Sequence, residues 1–389
     1  MLPVFTAQTQ IMVSNLVQAA TGDPAIDTLA IQTALDVGGA VWLTAGEYII
    51  NETLLIDDNT HLKWNGATLK LADGVQKQVI RNRNPDSGNV NITMEGPGTI
   101  DGNRAGNPPL TPFNHALHGA AIYNVKRFQA LNLTFKNCIV DGLYFGIRGQ
   151  VNGITVGGDN ENATVLFCRF EGNGRAGCSI TRGRYVHVMH NQFADNNRLM
   201  LDLPLASNPG NSASLVLEPN DPLDQPGFIW MGYNRIDAPN CRGLQIAGST
   251  GIHNVWVLHN GINAPNHQGI DITATAHRAI TIEGNGIEIQ NHSGIAAAYG
   301  GAGGMIRGNQ ISGNMTANKY GILVHNGAFD WSVLDNTVRD CSPGIASIGQ
   351  VANVNKRIFF NGNRSYYSAA LGEAYKYLNN EALTIGMNV

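Results

Sequence analysis

Residues 257–262 read VLHNGI, residues 282–287 IEGNGI, residues 306–311 IRGNQI and residues 333–338 VLDNTV. One asparagine returns in the same apolar setting about every 25 residues. Working outward, VMHNQF, MGYNRI and FFNGNRS extend the series to Asn191, Asn234, Asn260, Asn285, Asn309, Asn336 and Asn363. The steps are 43, 26, 25, 24, 27 and 27, and the first is one repeat plus an insertion of roughly 17 residues. A second marker runs out of phase, a glycine opening a short apolar stretch: Gly243, Gly269, Gly294, Gly321 and Gly344. Periods of this length mark a solenoid or a propeller. Two strand signals per period are too few for a propeller blade. Alternating pairs such as Ile270/Ile272 and Ile322/Val324 exclude helical repeats, because their side-chain period is 2. What remains is a single-stranded parallel β-helix of about 25 residues per coil, each coil stacked on the last at the ~4.8 Å strand spacing.

The asparagines follow from such a stack. A tight turn recurring at one corner favours a residue that tolerates left-handed backbone. The carboxamide can also bond its counterparts in the coils above and below. We therefore assign the column to the scaffold.

Composition agrees with an all-β solenoid. The chain has 389 residues, 46 of them glycine, and only 14% are charged. A solenoid grows by repetition and needs no second core. A net charge of −4 without a basic run argues against nucleic acid. No apolar run approaches the ~18 residues of a membrane span, and the opening MLPVFTAQTQIMVSN shows no signal peptide. Five cysteines without a CxxC suit buried thiols rather than zinc or disulfides, and Cys168 falls where other coils carry the asparagine. Nothing calls for a cofactor or a metal.

Three regions are expected. Residues 1–37 form an entry segment with a capping helix over 27–36, Asp27 at its start and Leu29, Ile31 and Leu35 on its apolar face. Such a cap shields the open end of the sheet. Residues 38–365 form the β-helix, extended by a turn at 150–162 and interrupted by a loop at 196–226 that carries five prolines. Long insertions on a rigid scaffold commonly carry function. Residues 366–389 break the period and form a cap or an oligomerisation tail.

At DTLAIQTALD, GGAVWLTAGEYII and GPGTIDGN the chain resembles the pectate-lyase-like right-handed β-helix superfamily, most of all phage tailspikes and related polysaccharide depolymerases. In that group a capping helix precedes a Gly-Gly-x-Val-x-x-Pro-x-Gly-x-Tyr strand pair. Gly38, Gly39, Val41, Gly46 and Tyr48 match it, and Ala45 stands near the proline position. The resemblance implies a polysaccharide partner, an extracellular or virion-associated setting and a homotrimer. Tyr366, Tyr367, Tyr375 and Tyr377 in the tail would supply aromatic interface. The scaffold alone does not fix the chemistry. Asp141 in NCIVDG is similar in position to the catalytic aspartate of polygalacturonases, although the remaining motifs of that family are absent.

In a Gly-Leu/Ile-x-Ile strand the x residues point away from the core. Down the stack they read Tyr144, Ser179, Val216, Gln245, Asp271, Ala296 and Leu323, with Thr181, Glu218, Ala247 and Thr273 two residues on. This column reads as the polar floor of a groove. Glu218 and Asp271 are its carboxylates, two coils or roughly 10 Å apart, which is compatible with an inverting glycosidase pair. Asp141 is the reserve candidate. Tyr144 and Gln245 would line the groove, while Arg148, Arg182 and Arg242 would hold an acidic sugar or pair with these carboxylates. His267 can serve as a base oriented by Asp271. Asp101 reads as a turn residue. Trp230 and Trp256 read as wall or packing residues that would stack on sugars if exposed. The function expected is cleavage of glycosidic bonds in an extracellular or capsular glycan by carboxylate acid/base hydrolysis. The alternatives are a lyase acting beside a uronate carboxylate and a non-catalytic glycan-binding spike or adhesin.

Overall fold

The computed structural model describes residues 14–110, 114–146, 149–151, 154–199, 213–221, 224–248, 251–298, 302–314, 319–350, 353–366, 374–378, 380–381 and 383–388. A regular coil has three short strands, for example Arg242–Ile246, Ile252–Leu258 and Gly261–Ala264, before the next coil starts at Ile270–Ile272. First strands stack into a 12-stranded sheet, and second and third strands into a 26-stranded sheet bent at the corner between them. Coil-to-coil pairing is parallel. The hairpin of Gly149–Val151 with Ile154–Val156, which begins one residue before the expected 150–162 extension, is antiparallel.

Alternate residues of each strand enter one continuous core. Leu244, Ile246, Val255, Val257 and Ile262 are buried from a single coil. Like residues sit on like residues: Phe135, Phe170 and Phe193 stack at 5.0 and 4.8 Å, the spacing of the strands that carry them.

The asparagine column forms a ladder through the corner between second and third strands. Asn260 receives its backbone N–H and side-chain bonds from Asn234, and donates to Asn285 Oδ1 through its own backbone N–H and Nδ2 at 2.9 Å each. The pattern repeats from Asn191 to Asn363 and ends on Asn388. At the other end the backbone N–H of Cys168 donates to Asn191 Oδ1, so the thiol replaces one rung as expected. The left-handed residue, however, is the one before the asparagine. His190, Tyr233, His259 and Asp335 have φ of 57, 54, 52 and 53°, and Gly284, Gly308 and Gly362 hold the same place at 66, 62 and 66°. The asparagine must aim inward, so its neighbour makes the turn.

The glycine column has a steric cause. A Cβ on Gly269 would lie 2.7 Å from the carbonyl oxygen of Gly294 and would overlap the Ile287 side chain; Gly243, Gly294 and Gly321 meet the same pair of neighbours. These glycines let the first strand enter beside the inward residue of the third. All five cysteines are buried and free.

At the N-terminal end the helix runs Pro24–Val37 and is capped by Asp23, whose carboxylate accepts from the N–H groups of Ala25 and Ile26. Asp27, expected to cap, is instead buried and accepts from Thr21, Gly22 and Ile49 N–H groups. It ties the helix to the first coil. Ile31 and Leu35 join the core, whereas Leu29 is exposed. Ser14–Leu16 pairs with the strand Ala40–Leu43. At the C-terminal end, Tyr375–Leu378, Asn380–Glu381 and Thr384–Ile385 add one further coil. Of the four tail tyrosines, Tyr366 is exposed, Tyr375 and Tyr377 are partly buried against the core, and Tyr367 lies outside the described residues.

Candidate active site on the twelve-stranded sheet

The outward column is in the register expected: Tyr144 pairs with Ser179, then Val216, Gln245, Asp271, Ala296 and Leu323 follow. Its middle is not an open groove floor. Ser179, Val216, Gln245, Asp271 and Ala296 are all buried. Val216 packs with Ala176 and Ala213 in a small apolar cluster of its own, apart from the main core.

Where the column reaches Tyr144 the structure gathers a charged group. Asp141 is fully buried just before the coil-opening Gly142. Its Oδ1 accepts from Arg175 Nε and Ala176 N–H at 2.9 Å each, and its Oδ2 from Arg175 Nη2 at 2.7 Å. His118 Nδ1, one coil earlier and next to Gly119, lies 3.2 Å from the same Oδ2. Burial raises the pKa of Asp141, but the Arg175 guanidinium and these hydrogen bonds outweigh it and hold the carboxyl well below the usual range. Burial pushes the His118 pKa down, against the pull of the Asp141 carboxylate. The Tyr144 ring stacks on His118, with centroids 4.2 Å apart and planes 1° from parallel. Gly146 makes room for it, since a Cβ there would overlap the ring. Burial raises the pKa of the Tyr144 phenol. His115 lies at the edge of this group, its imidazole lowered by burial and by the Arg175 charge.

Glu218 follows the strand Ala213–Leu217, its N–H bonded to the Ile180 carbonyl. Arg175 Nη1 is 3.9 Å from its Oε2, and its side chain keeps 35% exposure. Burial raises its pKa and Arg175 only partly offsets the rise. One arginine thus connects a buried carboxylate whose pKa is held low to a partly exposed carboxyl whose pKa burial raises.

No protein-family model and no curated protein sequence matches the chain. Solved structures do. The adhesin PfbA of Streptococcus pneumoniae superposes with a TM-score of 0.68 at 16% identity, over 94% of this chain and 100% of its own. The tailspike of E. coli bacteriophage HK620, solved with a pentasaccharide, gives 0.63 at 13% identity over 94% and 76%. The A-module of Azotobacter vinelandii mannuronan C-5 epimerase AlgE6 gives 0.55 at 14% over 95% and 99%. This chain is a right-handed parallel β-helix.

Along the β-helix axis the other expected residues form separate pairs. Asp271 is held by Arg242 Nε at 2.6 Å, with Gln245 Nε2 at 3.5 Å. Burial raises its pKa, and Arg242 works against the rise. His267 was expected to be oriented by Asp271, but it stacks on His292 in the neighbouring coil, at 5.8 Å and 1°. Arg242, at the corner one coil back, occupies the carboxylate instead. Arg182 binds Asp159 at 2.7 Å. Arg148 lies outside the described residues. Glu218 and Asp271 therefore each have their own arginine rather than one shared centre. Asp101 is a turn residue, its Oδ1 accepting from Asn103 N–H at 2.8 Å.

Trp230 and Trp256 lie on the other sheet. His187, Trp230 and Trp256 stack at 4.4 and 4.6 Å with planes within 8° of parallel. Both faces of Trp230 are covered by its neighbours, so it offers solvent an edge and no face for a sugar. Parallel stacking of in-register rings follows from the strand spacing.

Sequence reasoning missed His118 and Arg175. Their signal was available: His118 and Asp141 each immediately precede a coil-opening glycine, and Arg175 stands two before Gly177. Aligning the residues before those glycines brings all three to one corner of adjacent coils.

Proposed function

We propose that the protein cleaves a polysaccharide laid across the outer face of the twelve-stranded sheet near Tyr144, with Glu218 as the proton donor. The observation that carries this reading is the setting of Glu218: partly exposed, its pKa raised by burial, and 3.9 Å from a cation locked in place by Asp141. A general acid needs a raised pKa. As the proton passes to the glycosidic oxygen, the carboxylate left behind is stabilised by Arg175, which is already oriented and needs no reorganisation. Asp271, the expected partner carboxylate, is buried against Arg242 and in register with Val216 rather than Glu218, so it is assigned no direct part in the reaction. Asp141 positions Arg175 and does not itself meet substrate. The likeness to a phage tailspike solved with a pentasaccharide supports a glycan ligand and an extracellular or virion-associated setting.

A second reading is favoured by one observation, the Tyr144 phenol stacked on His118 beside Arg175. That trio suits removal of a proton next to a uronate carboxylate and eliminative cleavage. Incubation with a panel of capsular and plant polysaccharides separates the readings. Hydrolysis yields new reducing ends without ultraviolet absorbance, and elimination yields absorbing unsaturated uronates. Binding without loss of viscosity would instead match an adhesin and remove both.

A further inference from the structure

A groove of about 860 Å³ runs along the third face of the β-helix, over Arg235–Asp237, Gly261–Ala264, Gly286–Ile289, Gln310–Ser312 and Thr337–Arg339. These strands belong to the other sheet and lie apart from Glu218 and Tyr144. Two outward rows line it. The first row drops to glycine at 261 and 286, where a Cβ would meet nothing within 4 Å, and this forms the floor. The second row, Asp237, Asn263, Glu288, Ser312 and Arg339, follows in register from coil to coil. Within it the Asn263 amide donates to Asp237 Oδ1 at 2.9 Å. The next residue in the row is Tyr366, 48% exposed, with the Arg339 guanidinium 5.7 Å from its ring centroid.

We infer that this groove is a second carbohydrate site, one that holds a neutral polysaccharide chain without cleaving it. Its charges cancel: Arg235 and Asp237 share the first strand, Glu288 lies two coils on and Arg339 stands at the far end. A polyanion such as nucleic acid would meet no net positive field. The isoleucines beneath the floor, Ile236, Ile262, Ile287 and Ile311, are buried, so no apolar side chain protrudes into the groove. Amide, hydroxyl and carboxylate groups in line are the partners that sugar hydroxyls require, and Tyr366 adds one partly open ring at the end. Successive rungs are ~4.8 Å apart, close to the advance of an extended pyranose chain per sugar. Five coils therefore offer one rung to each of several consecutive sugars. The site is independent of the catalytic proposal and would keep a long chain attached while the other face acts on it.

Gly286→Arg tests the inference, because the backbone there is not left-handed and the space above it is open. Gln310→Ala is the milder companion. The probes are immobilised neutral polysaccharides, among them dextran, a galactomannan and bacterial O-antigen chains, read by affinity electrophoresis. The wild-type protein should be retarded by at least one of them. Gly286→Arg should weaken that binding about tenfold or more with an unchanged melting temperature, and Gln310→Ala should weaken it less. Both groove variants are also read in a Glu218→Gln background, where the probe is not cleaved during the run, so that a loss of retardation reports the groove and not turnover. Retardation unaltered in both groove variants would overturn the inference, as would a wild-type protein that binds no neutral polysaccharide. A fall in oligomer mass on Gly286→Arg would also overturn it, by making the groove a subunit contact.

Discussion

Replacing Asn285 by alanine removes one rung from the middle of the ladder, and the structure says what is lost. Its Oδ1 accepts both the backbone N–H and the side-chain amide of Asn260, each at 2.9 Å. Its Nδ2 donates to the Val257 carbonyl at 3.0 Å and to Asn309 Oδ1 at 2.9 Å. The site is closed to solvent, so the orphaned Asn260 N–H costs about 1–3 kcal/mol. The lost amide–amide bonds add roughly 0.5–1.5 kcal/mol each. Together the variant should lose about 2–6 kcal/mol, a large share of an ordinary folding free energy. Urea unfolding followed by circular dichroism measures the total, with exposed Asn291→Ala as a control expected to change by about 0.5 kcal/mol or less. Because solenoid repeats couple mainly to their neighbours, hydrogen exchange should speed up in the coils of Asn260 and Asn285 and little elsewhere. A total loss below about 1 kcal/mol, or exchange that rises evenly along the chain, would refute this account of the ladder.

Two other predictions concern packing and charge. Gly294→Ala puts a methyl 2.7 Å from the Gly321 carbonyl and against Ile311, so it should destabilise by about 1–3 kcal/mol or more in the same denaturation assay; an unchanged midpoint would count against close approach as the reason for the glycine column. Asp141 has a folded pKa below its unfolded value, so its contribution is complete above the unfolded value of about 3.9 and is lost as pH falls through the folded one. Melting temperature should therefore gain nothing from this pair between neutral pH and about 5, and fall at lower pH. Asp141→Asn, which leaves Arg175 buried without its counter-ion, should cost about 3–5 kcal/mol at neutral pH; a variant that melts like the wild type would contradict the pairing.

The scaffold was legible because stacking turns one local requirement into a column. The asparagines, the glycines, Cys168 and the outward register could each be read from spacing alone. Where the reading failed, the deciding quantity was not periodic. The left-handed turn falls on Tyr233 or His259 rather than Asn234 or Asn260, since a residue cannot both aim its amide inward and make the turn. Exposure of the outward column depends on what packs over it, so Asp271 proved buried against Arg242. The Asp141 group was only half visible, because its members lie at a corner between repeats and were sought on the strands. Its pairing depends on side-chain reach, with Arg175 spanning from Asp141 to Glu218.

The central claim is that Glu218 donates the proton that releases the leaving sugar. The most direct test is the pH profile of turnover on a cleaved polysaccharide for the wild type and Glu218→Gln. Because burial raises the Glu218 pKa above its ordinary value, wild-type activity should persist above pH 4.5, the ordinary carboxyl value, and decline as the group loses its proton. Glu218→Gln should lower turnover by about 10² or more, abolish that basic limb and leave polysaccharide binding nearly intact. A variant with wild-type turnover and an unaltered profile would contradict the account.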